Sequence, residues 1–176
     1  EANGAGTATA PSPAANVGTP APSVATPPVT GAEANTLEKY PSSAQEVLAD
    51  FHPMAAADNY YNDPTAAPAK QVETVKGLFF TVQVGVYSKP TALDRLFNIT
   101  PLNSERTANG KIRYTTGMFR DVASASTRKN ATVVLGVTDA FVTAYLNGKR
   151  IPLNDARGLL AKLGPSILVD PQLATP

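Results

Sequence analysis

The strongest constraint on this chain is the alternation of apolar and polar residues between Phe80 and Tyr87. Phe80, Val82, Val84 and Val86 alternate with Thr81, Gln83, Gly85 and Tyr87. A period of two puts one set on each side of a β-strand. Ser88-Lys-Pro90 ends the run, and Thr91 to Asn98 reads as a short helix with Leu93, Leu96 and Phe97 on one face. A second strand is predicted from about Leu102 to Thr107, and Asn109-Gly110 is a tight hairpin signal. The third strand is Ile112–Phe119. Asp121 is a good N-cap for a helix from Val122 to about Leu135. Ala140 to Leu146 is a fourth strand, Asn147-Gly148 turns it, and Lys149 to Leu153 returns. Asn154 or Asp155 would cap a last helix over about 155–163, closed by Gly164-Pro165. The order β-α-β-β-α-β predicts an α+β domain of the split β-α-β type (ferredoxin/RNP-like): an antiparallel sheet with helices on one face.

The rest of the chain differs in composition. Ala, Pro, Thr, Gly and Ser make up 27 of residues 1–35, where the only large apolar side chains are Val17, Val24 and Val29. Such a segment buries too little to offset its ordering entropy, so it reads as an extended Pro/Ala/Thr-rich tail, or as a strap along a partner. Residues 36–76 read as a linker. Within it Ser43-Ala-Gln-Glu46 is a capping-box pattern that predicts a short helix over about 43–51. Asp58 and Asp63 flank Tyr60-Tyr61 in what reads as an exposed loop, too sparse in oxygen ligands for a metal. Residues 77–151 form the main domain, and 152–176 a C-terminal helix and tail. The net charge of +1 hides an uneven distribution. Residues 1–75 carry −6 and residues 76–151 carry +7. A basic folded part favours acidic or polyanionic partners.

Without helices to cover it, the second sheet face is the candidate site. Strict alternation points Val82, Val84 and Val86 toward the helices and Gln83, Gly85 and Tyr87 away. On the third strand it points Tyr114, Thr116 and Met118 inward, and Arg113, Thr115, Gly117 and Phe119 outward. On the fourth it points Phe141, Thr143 and Tyr145 outward. Gln83, Tyr87, Arg113, Thr115, Phe119, Phe141 and Tyr145 are therefore the candidate binding residues. Aromatic faces with amide and guanidinium donors suit sugar rings or bases. The same face would also serve to pack on residues 36–75 or on a partner.

Phe80-Thr-Val-Gln-Val-Gly-Val-Tyr-Ser88 resembles the opening strand of the sporulation-related repeat (SPOR) domain, aromatic-x-Val-Gln-Leu-Gly-Ser-Phe. Ile112–Phe119 is similar to its third strand and Asp139-Ala-Phe-Val142 to its last. The resemblance spans residues 78–146, about two-fifths of the chain. It implies a cell-envelope module that binds peptidoglycan glycan strands on the sheet face, with Gln83 in the motif. The pattern departs where Val86 replaces a common Ser and Thr115 a common Arg, and where the first helix is short.

Composition excludes several classes. Zero Cys removes disulfides, thiolate metal sites and a Cys nucleophile. One His, His52, stands before Pro53 outside the main domain, and no Gly-x-Ser-x-Gly occurs, so a non-catalytic protein is expected. No cofactor or metal is implied. An RNA binder shares the strand order but would need a Lys/Arg-Gly-Phe/Tyr-Gly/Ala-Phe run, which this chain lacks, so no nucleic acid is expected. Asn98-Ile-Thr100 and Asn130-Ala-Thr132 match the short glycosylation sequon. No stretch approaches the roughly 20 apolar residues of a transmembrane helix. The chain begins at Glu1, which fits a mature exported chain or a fragment. The expectations are therefore a glycan-binding module exported to the periplasm or envelope of a Gram-negative bacterium, or a structural subunit of an envelope assembly. In the latter, residues 1–75 would contact neighbouring chains.

Overall fold

The computed structural model describes residues 34–54 and 69–175. Most of the tail expected over residues 1–35, and the loop around Tyr60-Tyr61, lie outside the described residues. What is described is an α+β fold with one six-stranded mixed sheet and three α-helices. The strands are β1 (Lys70–Gln71), β2 (Leu78–Tyr87), β3 (Leu102–Arg106), β4 (Ile112–Phe119), β5 (Phe141–Leu146) and β6 (Lys149–Ile151). They lie side by side in the order β1-β3-β4-β2-β5-β6. All pairings are antiparallel except β1 with β3.

The helices are α1 (Ala44–Ala49), α2 (Val122–Val134) and α3 (Leu153–Leu163). The Ser43–Glu46 capping box forms at α1, with Ser43 Oγ accepting from the Glu46 N–H. Asp121 caps α2 by accepting from the Ser124 N–H at 2.7 Å, and those bonds hold its carboxyl below the usual range. Two expectations change. The stretch after β2 makes only a 3-10 turn over Leu93–Leu96, because Pro90 and Pro101 leave little length between them. Helix α3 starts two residues earlier than expected, at Leu153 after Pro152. Asp155 then points inward, where it accepts from Tyr40 Oη at 3.0 Å and pairs with Lys39 Nζ at 2.6 Å.

One side of the sheet carries the main core. Leu78 and Phe80 of β2 and Ala144 of β5 meet Ala125 of α2, Ala156 and Leu159 of α3, and Val47 of α1. A second cluster continues along this side through Val82, Val84, Leu96, Tyr114 and Val137. Both the N-terminal stretch with α1 and the C-terminal helix thus contribute to the core. Asn147 ties α1 to the entry of β2. Its Oδ1 accepts from the Gly77 N–H at 2.9 Å, and its Nδ2 donates to the Val47 carbonyl at 2.6 Å.

The sheet is strongly curled. Tyr145 on β5 donates to Glu105 on β3 at 2.6 Å, although β4 and β2 lie between them. In a flat sheet those strands would stand about 14 Å apart. The opposite walls also meet at Glu73, just after β1. Its carboxylate accepts from the Arg106 N–H at the end of β3. Its backbone lies against Gly148 in the β5–β6 turn, where a Cβ would sit 2.8 Å from Glu73 Cα.

Two substitutions test these joints. Gly148→Ala meets the backbone of residues 72–73 and a φ of +77°. We expect a loss of about 2–4 kcal/mol in urea unfolding. Asn147→Ala strands a buried N–H and a buried carbonyl, with an expected loss of at least about 2 kcal/mol. An unchanged urea midpoint in either variant would contradict the assigned role.

Candidate ligand-binding site

The face turned away from the helices is the hollow of the curl. Phe79, Met118 and Tyr145 form a third apolar cluster there, covered by Val72, Val75 and Val169. Beyond this plug the lining is polar, though Thr81, Asn103, Thr115 and Thr143 are themselves buried. It presents Thr81, Gln83, Asn103, Glu105, Arg113, Thr115 and Thr143, with Phe141 and Arg150 at one edge.

Two β-bulges decide which residues reach the hollow. In the β2–β4 pairing, Phe80 faces Phe119 but Val82 faces Thr116, so β4 carries one extra residue there. Gly117 occupies that bulge at a φ of +73°. Further along, Gln83 faces Thr115 but Gly85 faces Tyr114, so the extra residue is on β2. Each bulge reverses the alternation beyond it and adds twist.

The predicted residues separate accordingly. Tyr87 and Phe119 do not belong to the site. Past the β2 bulge, Tyr87 turns to the helical side and packs against Tyr114, ring centroids 5.8 Å apart, while Val86 becomes exposed. Past Gly117, Phe119 enters the main core with Ala125, and Met118, expected inward, joins the plug. Tyr145 and Thr115 do line the hollow but are fully enclosed. Tyr145 stacks on Phe79 at 5.4 Å, and the Thr115 hydroxyl accepts from Asn103 Nδ2 at 3.3 Å. Arg113 Nη1 pairs with Glu105 Oε2 at 2.5 Å. Burial opposes its charge, but Glu105 and Tyr145 together more than offset that and raise the Arg113 pKa.

Gln83 and Phe141 remain at the mouth. They are direct cross-strand neighbours on β2 and β5. Phe141 is 41% exposed, with the Arg150 guanidinium 5.8 Å from its ring centroid. Arg150 Nε also donates to the Thr143 hydroxyl at 2.9 Å. The Gln83 Oε1 and Arg113 Nε atoms are buried with no hydrogen-bond partner among the described residues. Leaving such atoms unpaired typically costs about 1–3 kcal/mol each. The arrangement offers an aromatic face, a guanidinium and an amide. No helix among the described residues is long and apolar enough to cross a membrane.

Strict alternation already points Thr143 to this face, whereas Glu105, Arg150 and Asn103 are not legible from it. Glu105 was nearest to legible, since hairpin pairing across Asn109-Gly110 sets it near Arg113. The loop in fact spans residues 107–111, closed by the Thr107 side chain. A two-residue turn would have faced Glu105 with Tyr114 instead of Arg113. No family model, curated protein or solved structure matches the chain.

Burial holds the Tyr145 hydroxyl protonated well above the usual tyrosine value near 10, and the Glu105 carboxylate acts in the same direction. The folded state thus binds this proton more tightly than the unfolded state. Its contribution is complete below about pH 10 and is lost as the pH climbs past that value. Urea midpoints measured from pH 9 to 11 should fall more steeply for the wild type than for Tyr145→Phe. Parallel curves would rule out this hydroxyl as the source.

Proposed function

We propose that the chain is a non-catalytic module of the bacterial cell envelope that binds peptidoglycan glycan strands at the mouth of the curled sheet. The observation that carries this reading is the pairing of Gln83 with the exposed Phe141 ring beside Arg150. A pyranose presents a flat apolar face and a polar edge. The ring suits the first, and the guanidinium and amide suit the second. Rotation of the Gln83 side chain toward the mouth would let its unpaired carbonyl accept from a sugar hydroxyl or amide, offsetting its desolvation.

The SPOR resemblance of Phe80–Ser88 supports the same ligand class. On this reading the fold is a variant of the split β-α-β sheet. The four central strands keep the order β3-β4-β2-β5, and the first crossover shrinks to the turn at Leu93–Leu96. Residence in the periplasm or envelope of a Gram-negative bacterium is part of the proposal. The reading narrows the site to Gln83, Phe141 and Arg150, with Arg113 and Thr115 as the wall behind them. Tyr145 then supports that wall and does not touch the glycan.

A second reading has one observation in its favour. The segment before α1 already straps across its own domain, through Leu37 against Gly158 and through Lys39 and Tyr40 on Asp155. An accessory subunit of an envelope assembly would extend that strap to neighbouring chains.

Co-sedimentation with purified cell-wall sacculi separates the two. We expect wild-type retention, with Gln83→Ala and Phe141→Ala each weakening it about tenfold, or roughly 1.4 kcal/mol. Circular dichroism should stay unchanged. Absence of wild-type retention on any form of the wall would exclude the glycan reading.

A further inference from the structure

The tripeptide Asn-Gly-Lys occurs twice in the domain, at residues 109–111 and 147–149. The first copy joins β3 to β4 and the second joins β5 to β6. Their local chemistry is the same. The glycine nitrogen lies within reach of the asparagine side-chain amide carbon, and glycine has no Cβ to hinder the approach. What differs is how the fold holds each copy.

Asn147 is locked. It is 7% exposed, its Oδ1 accepts from the Gly77 N–H, and its Nδ2 donates to the Val47 carbonyl. Its own N–H donates to the Gly77 carbonyl at 3.1 Å. Gly148 is pressed against the backbone of Val72 and Glu73. The amide carbon and the Gly148 nitrogen therefore come together only if this joint opens, and such an opening disrupts the core.

Asn109 is not held in this way. Both it and Gly110 are exposed. Gly110 has a φ of +72°, and a Cβ there would meet nothing within 4 Å. Among the described residues the Asn109 side chain has no hydrogen-bond partner. The restraint on the attacking nitrogen is the bond from the Gly110 N–H to the Thr107 carbonyl at 2.9 Å, in a turn open to water.

We propose that Asn109 is a site of spontaneous deamidation, and that the fold directs the reaction there and away from Asn147. The Gly110 nitrogen gives up its proton and bonds to Asn109 Cγ. The Cγ–Nδ2 bond breaks, and the amide nitrogen leaves as ammonia with that proton. The cyclic imide then takes up one water. Opening at the side-chain carbonyl gives aspartate, and opening at the main-chain carbonyl gives isoaspartate. Water is the only co-reactant. Either product adds a negative charge, but isoaspartate also lengthens the main chain by one carbon. That carbon enters the 107–111 loop, whose length sets Glu105 opposite Arg113. The Thr107 hydroxyl closes the loop through Lys111, so the isoaspartyl form strains this closure.

Incubation of the full chain in heavy-oxygen water at mildly alkaline pH, followed by peptide mass spectrometry, tests this. Uptake at Asn109 should exceed uptake at Asn147 at least about tenfold in the folded protein. In concentrated urea the two rates should converge, because the local sequence is shared. Equal rates in the folded chain, or faster uptake at Asn147, would overturn the proposal. Asn109→Gln puts the amide one carbon farther from the nitrogen at an exposed position. It should abolish uptake in that peptide without moving the urea midpoint, and persistent uptake would place the reaction elsewhere. The isoaspartyl form should unfold at lower urea than the aspartyl form of equal charge. Equal midpoints would overturn the role assigned to loop length.

Discussion

Glu105 accepts at one carboxylate oxygen from Arg113 on the neighbouring strand and from Tyr145 on the far side of the sheet. Those contacts are compatible only with a sheet rolled on itself. Around them the hollow fills with Phe79, Met118 and the valines that cover them, and the walls meet again where Glu73 lies against Gly148. A carboxylate held among strands needs its partners, because a buried charge left alone is far more costly than a buried pair. The curl and the polar network therefore depend on each other. The hollow is filled behind its rim, where Gln83, Phe141 and Arg150 stand.

The curl has a local cause. Each of the two bulges between β2 and β4 inserts one residue into one strand, at opposite ends of the pairing. The added twist bends the sheet, and the phase reversal redistributes its side chains. Phe119 and Tyr87 are consumed as core, while Val86 is released to the surface. A face that strict alternation opens over seven candidate residues contracts to a short edge. The same bending encloses Tyr145 and Thr115, which turns prospective ligand contacts into structural ones.

The segments flanking the main sheet are integral to it. Val47 of α1 and Leu159 of α3 share one core, and Asn147 bonds to the backbone of α1 and of Gly77 just before β2. The acidic first part does pack on the rest of the chain, but its ion pair among the described residues is made by a base and falls outside the basic stretch 76–151. There Lys39 of the acidic segment pairs with Asp155 of α3. Net charge by segment describes long-range attraction, whereas the contact itself is set by which side chain the packing delivers.

Much of the architecture was legible because it follows from local rules. The Ser43–Glu46 box, the Asp121 cap and the alternation of Phe80 to Val84 depend on neighbours within a few residues. Those elements form where the residues indicate. What the sequence by itself determined was most of the elements, their order and the α+β class, but not strand β1 or the shrinking of the first crossover helix to a 3-10 turn. Whether a strand keeps its phase depends on hydrogen bonds to a partner distant in sequence. A single inserted residue, as at Gly117, changes the facing of everything beyond it without altering composition or hydrophobic content. The tertiary structure alone decided that the second face is a hollow, that Glu105 joins its two walls, and that Asn147 is enclosed between α1 and the entry of β2. Each of these requires groups from separate elements to occupy the same space, and spacing along the chain carries no record of that.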